Sequence, residues 1–304
     1  QQEPAPETPV SRSARSGGAD SAPTAINDAD GFRDMVAGGS YKLAADITVT
    51  EPYAKDFTGT FDGNGHTVTL NIAASTANVG LFSKLAGGAV VKNVITAGSV
   101  TATGKNNVGG IAGTADGNVT IENCKNTASI KGGKGAGGIL GYSEPGSGFV
   151  TISSCANMGS VSGTRKQVGG IAGNVVGTHI IRNCYNQGDI SDGAGILGRG
   201  TKGVLVENCY TVGSVETNGA IMAVSSSSYS SDEPCRIVNC YAPSETVTAL
   251  VPSTVTISNS GTKSSAEMQS ADFAALLGEA FMAKAGDYPA LSWETPTAAV
   301  LFTI

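Results

Sequence analysis

The sequence is short of charge, of aromatic rings and of histidine. Only 14% of its 304 residues are Asp, Glu, Lys or Arg, 6% are aromatic, and there are two His and one Trp. That charge density is well below the quarter typical of soluble domains, which disfavours a protein built from solvated helices. A net charge of −6 offers no basic footprint for nucleic acid or for an anionic membrane surface. No apolar run approaches the roughly 20 residues that span a bilayer. His66 and His179 are the only histidines, and no Ser-His-Asp or Cys-His arrangement has a supported geometry. There is no C-x-x-C pair to hold zinc.

Glycine is abundant, with 42 residues, and much of it belongs to a repeat. Five cysteines, Cys124, Cys155, Cys184, Cys209 and Cys240, follow one another at intervals of 31, 29, 25 and 31 residues. Ahead of them recur "VGGIAG" (108–113), "AGGILG" (136–141), "VGGIAG" (168–173) and "GAGILG" (193–198), with degraded copies "VGLF" (79–82) and "GAIMAV" (219–224). Relative to the cysteine, position −3 holds Val91, Ile121, Ile152, Ile181, Val206 and Ile237, and position +6 holds Val100, Ile130, Val161, Ile190, Val215 and Thr246. Apolar β-branched residues at −5 and −3 mark a short strand with one buried face. The small residue at +4 (Gly98, Ala128, Gly159, Gly188, Gly213) marks a bend.

Each unit therefore holds about three short strands. A β-propeller blade needs four strands in roughly 40 residues. The shorter period predicts an all-β, right-handed single-stranded parallel β-helix of about 7–9 coils, with short capping helices at both ends. In such a fold, equivalent residues stack into ladders about 4.8 Å apart.

Laddering accounts for the cysteines. Val94 stands in the cysteine slot of an early copy, and Cys235 stands at −5 where Val119, Val150 and Val204 stand elsewhere. Cys and Val exchange as small core hydrophobes, so a reduced, buried ladder is expected rather than a metal or catalytic site. Stacked coils do bring Cα atoms within disulfide range, but five members of one slot cannot all pair. The residue before each cysteine (Asn93, Asn123, Asn183, Asn208, Asn239, and Ser154 once) reads as an amide ladder at a corner.

Residues 1–25 are read as a disordered linker or processed N-terminus, and 26–295 as the β-helix domain. Residues 296–304, "TPTAAVLFTI" without its first residue, are expected to open a following domain or linker of a longer multidomain protein. "INDADGFRDMVAGG" (26–39) predicts an N-terminal helix capped by Asn27 or Asp28, with Phe32, Met35 and Val36 on one face. Residues 264–284 read as an amphipathic C-terminal helix with Met268, Phe273, Leu276, Leu277 and Phe281 apolar and Ser270 at a cap.

"FTGTFDGNGHTVTL", "VGLFSKL", the repeated "VGGIAG…NCxNxGxI" and "GDYPALSWE" together resemble bacterial surface proteins with GLUG-type repeats, among the pectin-lyase-like right-handed parallel β-helices. The resemblance covers about residues 26–295. It implies a secreted or wall-attached, often modular protein of a gut-type bacterium, with adhesive or uncharacterised roles and no necessary catalysis.

Candidate chemistry is thin. Asp62 lies in a Gly-Asn-Gly turn, Asp189 and Asp192 flank a bend, and the acidic residues look scattered along the chain. His179 occupies the −5 slot, where an inward or rim position is expected. Tyr185, Tyr210 and Tyr241 follow the cysteine in three consecutive coils and would align into an aromatic stripe, a platform for sugars or protein partners. The competing reading of that stripe is a stabilising ladder under a loop. The sequence thus points to a non-catalytic extracellular module, adhesin or spacer, with glycans or host surface proteins as partners and with no cofactor, metal, nucleic acid or membrane insertion. The alternative is a polysaccharide lyase or glycoside hydrolase on the same scaffold. Clustered acidic and basic side chains in a groove would favour that enzyme.

Overall fold

A computed structural model describes residues 22–144, 146, 148–164, 167–201, 203–215, 219–225, 234–244 and 255–294. The −3 residues lie on parallel strands in register, Val91 beside Ile121, then Ile152, Ile181, Val206 and Ile237. These strands form the centre of a ten-stranded face running from Thr24–Ile26 to Thr256–Ser258. The GGIAG segments build a seven-stranded face, bordered by a strip of four two-residue strands. The residues after each cysteine enter a third face of twelve strands. The chain is a right-handed parallel β-helix, as the repeat predicts, and seven of its turns cross all three faces.

The corner between the ten- and twelve-stranded faces shows why Asn recurs. Asn93, Asn123, Asn183, Asn208 and Asn239 have φ between 49° and 55°, and Ser154 has 51°. This left-handed conformation is tolerated by Asn better than by most side chains. The corner amides also bond along the axis: Asn123 Nδ2 donates to Asn93 Oδ1 (3.3 Å), Asn208 Nδ2 to Asn183 Oδ1 (3.1 Å) and Asn239 Nδ2 to Asn208 Oδ1 (2.9 Å). Ser154 interrupts the row.

The inward side chains make one continuous core from Ile26 to Ala242, which contains all six cysteines. At its N-terminal end helix α1 (Ala29–Arg33) is capped by Asp28, whose carboxylate accepts the Gly31 N–H at 2.8 Å. α1 drives Phe32 into edge-on contact with Tyr53, Phe61 and Phe82, at centroid distances of 5.7–6.1 Å. Val36, expected on the same face, lies beyond the end of α1 and is 63% exposed. Strand Thr24–Ile26 pairs with Tyr41–Leu43, so the first rung begins inside the stretch read as linker. Residues 1–21 and 295–304 lie outside the described residues.

The C-terminal segment departs from expectation. Instead of one helix over 264–284, it forms α2 (Ser265–Met268), α3 (Ala271–Leu277) and an antiparallel hairpin of Phe281–Lys284 with Asp287–Leu291. Ser264 and Glu267 make a reciprocal capping box on α2, and Ser270 caps α3. Gly278, at φ 102°, ends α3, a conformation a side chain would strain. The segment packs on the flank of the solenoid, against the twelve-stranded face, because its apolar residues meet the tyrosine row there. We call it the clasp.

Candidate functional site

The tyrosine row forms as the repeat predicts. Tyr185, Tyr210 and Tyr241 are register neighbours, and the first two rings stack at 5.2 Å with 7° between their planes. The row is not an exposed platform, however. Met268, Phe273, Leu277, Phe281 and Leu291 of the clasp cover it, leaving the rings 2%, 0% and 7% exposed. Of the two sequence readings of this row, the exposed sugar-binding stripe is corrected and the stabilising ladder under a covering segment is the one that fits, because the clasp removes the outward-facing rings from water. Burial pushes the Tyr185 hydroxyl far above its ordinary pKa, and the charge of Glu294 adds to that shift.

Polar contacts fasten the clasp. Its last turn, Ser292–Glu294, places the Glu294 carboxylate 2.7 Å from Lys125 Nζ and within 2.9–3.0 Å of the Tyr185 hydroxyl, which donates to it. The Leu291 N–H also donates to Glu294, at 2.9 Å. Trp293 Nε1 donates to the Ser154 carbonyl at 2.9 Å, at the corner where the amide row is interrupted. Tyr210 donates its hydroxyl to the Pro289 carbonyl. The repeat pattern signals none of these partners, because the clasp has no internal copy to compare.

The cysteines are buried and unbridged, and they do more than fill space. Each ladder thiol lies 3.0–3.3 Å from the carbonyl two residues before it, as donor to Glu122, Ser153, Arg182, Glu207 or Val238. Ser260 occupies the same slot in a further rung and its hydroxyl makes the same bond to Ser258 at 2.8 Å. The slot therefore favours a small donor, which Val94 lacks. Burial raises the thiol pKa of Cys124, Cys155 and Cys209 well above the usual range, keeping the protons that make these bonds.

A second amide row, missed in the sequence, runs inside the barrel two positions after the cysteine. Thr96 Oγ1 donates to Asn126 Oδ1 (2.9 Å), Asn126 Nδ2 to Asn157 Oδ1 (2.7 Å), Asn157 Nδ2 to Asn186 Oδ1 (2.7 Å), and Asn186 Nδ2 to Thr211 Oγ1 (3.1 Å). Each Asn also donates to a carbonyl two residues ahead, at 2.8–2.9 Å. A Cβ on Gly110, Gly138 or Gly170 would lie 2.3–2.6 Å from the facing amide oxygen. The second Gly of "VGGIAG" is thus the space that the Asn of "NCxN" requires, so the two landmarks are one device.

The remaining candidates fall into place individually. Asp62 accepts the Asn64 N–H (2.8 Å) and Asn93 Nδ2 (2.9 Å), closing its turn and starting the corner row. Asp189 accepts the Ser214 N–H at 3.2 Å, and Asp192 takes a left-handed φ of 58°. His66 pairs with Asp46 at 3.1 Å on the surface. His179 is buried, its Nδ1 accepting the Val150 N–H at 3.1 Å, and burial lowers its pKa. Among the described residues no three His, Cys, Asp or Glu side chains converge to hold a metal ion.

The acidic residues are not all scattered. Coiling gathers Asp56, Asp116 and Glu144 from three different turns around Lys84, at 3.8, 3.4 and 3.6 Å from Nζ. Spacings of 28–60 residues in the sequence conceal this cluster; only the register, Asp56 beside Lys84 beside Thr114, reveals it. Burial works against the Lys84 charge, yet Glu144, Asp116 and Asp56 outweigh it and raise the pKa.

No family model matches the chain. A stretch is 37% identical over 126 residues to halomucin of Haloquadratum walsbyi (strain DSM 16790 / HBSQ001), covering 34% of this chain and 1% of halomucin. The chain therefore spans a very small part of that relative. Among solved structures it is similar to a Bacteroides ovatus protein provisionally named immunoglobulin A1 protease, with a TM-score of 0.60 and 22% identity. That similarity covers 91% of this chain and 94% of the other. It is a likeness of fold. No described helix is long and apolar enough to cross a membrane.

Proposed function

We propose that this chain is a non-catalytic β-helix module of a bacterial surface protein, secreted or attached to the cell wall, that carries an adhesive face on a rigid spacer. One observation carries the reading: the features that recur from rung to rung are spent on the scaffold. The cysteines, the inner Asn row and the tyrosine stack point into a core or under the clasp, and the half-buried outer Asn row shapes a corner of the coil. What varies between rungs is the outer surface, which is where a binding module differs from its neighbours. The GLUG-like motifs favour an extracellular role and kinship with pectin-lyase-like β-helices, as part of a longer protein. The expected partners are glycans or host surface proteins.

A second reading, a polysaccharide lyase or glycoside hydrolase, draws on Asp56, Lys84, Asp116 and Glu144. A lysine whose pKa is raised stays protonated at neutral pH and is a poor general base. The experiment that separates the two is incubation with pectate, mucin glycans, bacterial wall polysaccharide and immunoglobulin A1, read by reducing ends, unsaturated products and gel mobility. Turnover that disappears in Lys84→Met would overturn the non-catalytic reading. Binding to a glycan or host-protein array without turnover supports it.

A further inference from the structure

Where the clasp hairpin crosses the twelve-stranded face it leaves a cleft of about 150 Å³ that no repeat motif announces. Lys125, Met158 and Gln187 line it from the solenoid, and Lys284, Tyr288 and Glu294 line it from the clasp. Two lysines line it, each ammonium held by one carboxylate: Lys125 by Glu294 and Lys284 by Asp287, both at 2.7 Å. The charges cancel, so the cleft has no net attraction for a phosphate, a sulfate or a uronic acid. Each ammonium keeps N–H donors beyond its carboxylate.

Glu294 is filled by Lys125, Tyr185 and the Leu291 N–H, so it positions Lys125 rather than reaching a ligand. Gln187 adds a side chain that can both donate and accept to the lining. Tyr288 provides an aromatic surface, and Met158 an apolar rim that is 42% exposed. The cleft is smaller than the roughly 300–1,000 Å³ of pockets for drug-sized molecules. It has room for one ring. The required ligand has one apolar face, a polar edge of hydroxyls that both donate and accept, and no charge.

We infer that this cleft is a subsite for a single neutral pyranose residue of a glycan, its ring against Tyr288 and its hydroxyls on Lys125, Lys284 and Gln187. The inference rests on the adhesive half of the proposed function and locates it at the junction of clasp and solenoid. Tight docking of the clasp is then a condition of binding, because half of the site belongs to each part.

The test uses the whole chain with the methyl glycosides of galactose, glucose, mannose and N-acetylglucosamine, followed by saturation-transfer NMR and calorimetry. At least one glycoside is expected to bind, with Tyr288→Ala and Gln187→Ala each weakening it tenfold or more and Tyr288→Phe retaining it. The fluorescence of Trp293 reports whether the clasp is still docked in each variant. Undiminished binding in both alanine variants would overturn the subsite while leaving an adhesin with its site elsewhere. No binding of any of the four glycosides would also overturn it, and a blank glycan and host-protein array would remove the adhesive reading as well. Preference for a glucuronide over the matching glucoside would refute the argument from charge balance.

Discussion

Replacing Asn157 by Ala cuts the inner amide row at its centre. The Asn157 amide accepts from Asn126 and donates to both Gly159 O and Asn186 Oδ1, at 2.7–2.8 Å, and is fully buried. Alanine leaves two acceptors, Gly159 O and Asn186 Oδ1, without those donors, and removes one acceptor from Asn126 Nδ2. A buried polar group stripped of its partner costs about 1–3 kcal/mol. Two stranded acceptors therefore predict a loss of about 2–6 kcal/mol, before any small packing term. The assay is equilibrium urea unfolding followed by circular dichroism and by Trp293 fluorescence, comparing midpoints and slopes. Gly138→Ala should couple to it, because the new Cβ would lie 2.3 Å from Asn157 Oδ1 and 2.2 Å from Gly170 O. The double variant is expected to lose less than the sum of the singles, by about 1 kcal/mol or more. An Asn157→Ala loss below about 1 kcal/mol, or strict additivity with Gly138→Ala, would refute the claim that amide and glycine form one device.

Other expectations test the clasp, the histidine and the thiols. Glu294→Gln leaves the Lys125 ammonium, 24% exposed, without its carboxylate. It should destabilise the clasp by about 1–3 kcal/mol, less than a fully buried pair, and speed protease cleavage within 264–294 while the solenoid stays intact. His179 is held neutral by burial, its folded pKa below the ordinary value near 6.5. The unfolded chain then binds the extra proton, so the stabilisation is complete above about pH 6.5 and declines as the pH falls toward the folded pKa. His179→Val should flatten that acid slope in a thermal-melt series, while costing about 1–2 kcal/mol at neutral pH because the Val150 N–H loses its acceptor. All six thiols should resist a thiol reagent in the native protein and all should react in guanidinium, since burial keeps the reagent from every one of them. Rapid native labelling of any ladder cysteine would contradict the core placement.

The sequence by itself determined the solenoid. A period of 25–31 residues with β-branched residues at −3 and +6 admits one way to bury each rung, against the equivalent positions of the rungs before and after it. The buried cysteines and the Asn corners follow from the same rule, because a ladder repeats its environment as it repeats its residues. The inner amide row was equally present in "NCKN", "SCAN" and "NCYN", and its meaning becomes visible only with the facing glycines in place. What the tertiary structure decided is everything without a copy. The clasp occurs once, so periodicity carries no information about it, and its amphipathic pattern does not say which surface it will cover. Its docking decided between the two readings of the tyrosine row, making it a second core rather than a platform, and brought Glu294 to Lys125 across 169 residues. The Lys84 cluster and the clasp cleft arise the same way. Coiling converts separations of tens of residues into contacts between adjacent rungs, and the exposed side chains that meet there obey no repeat.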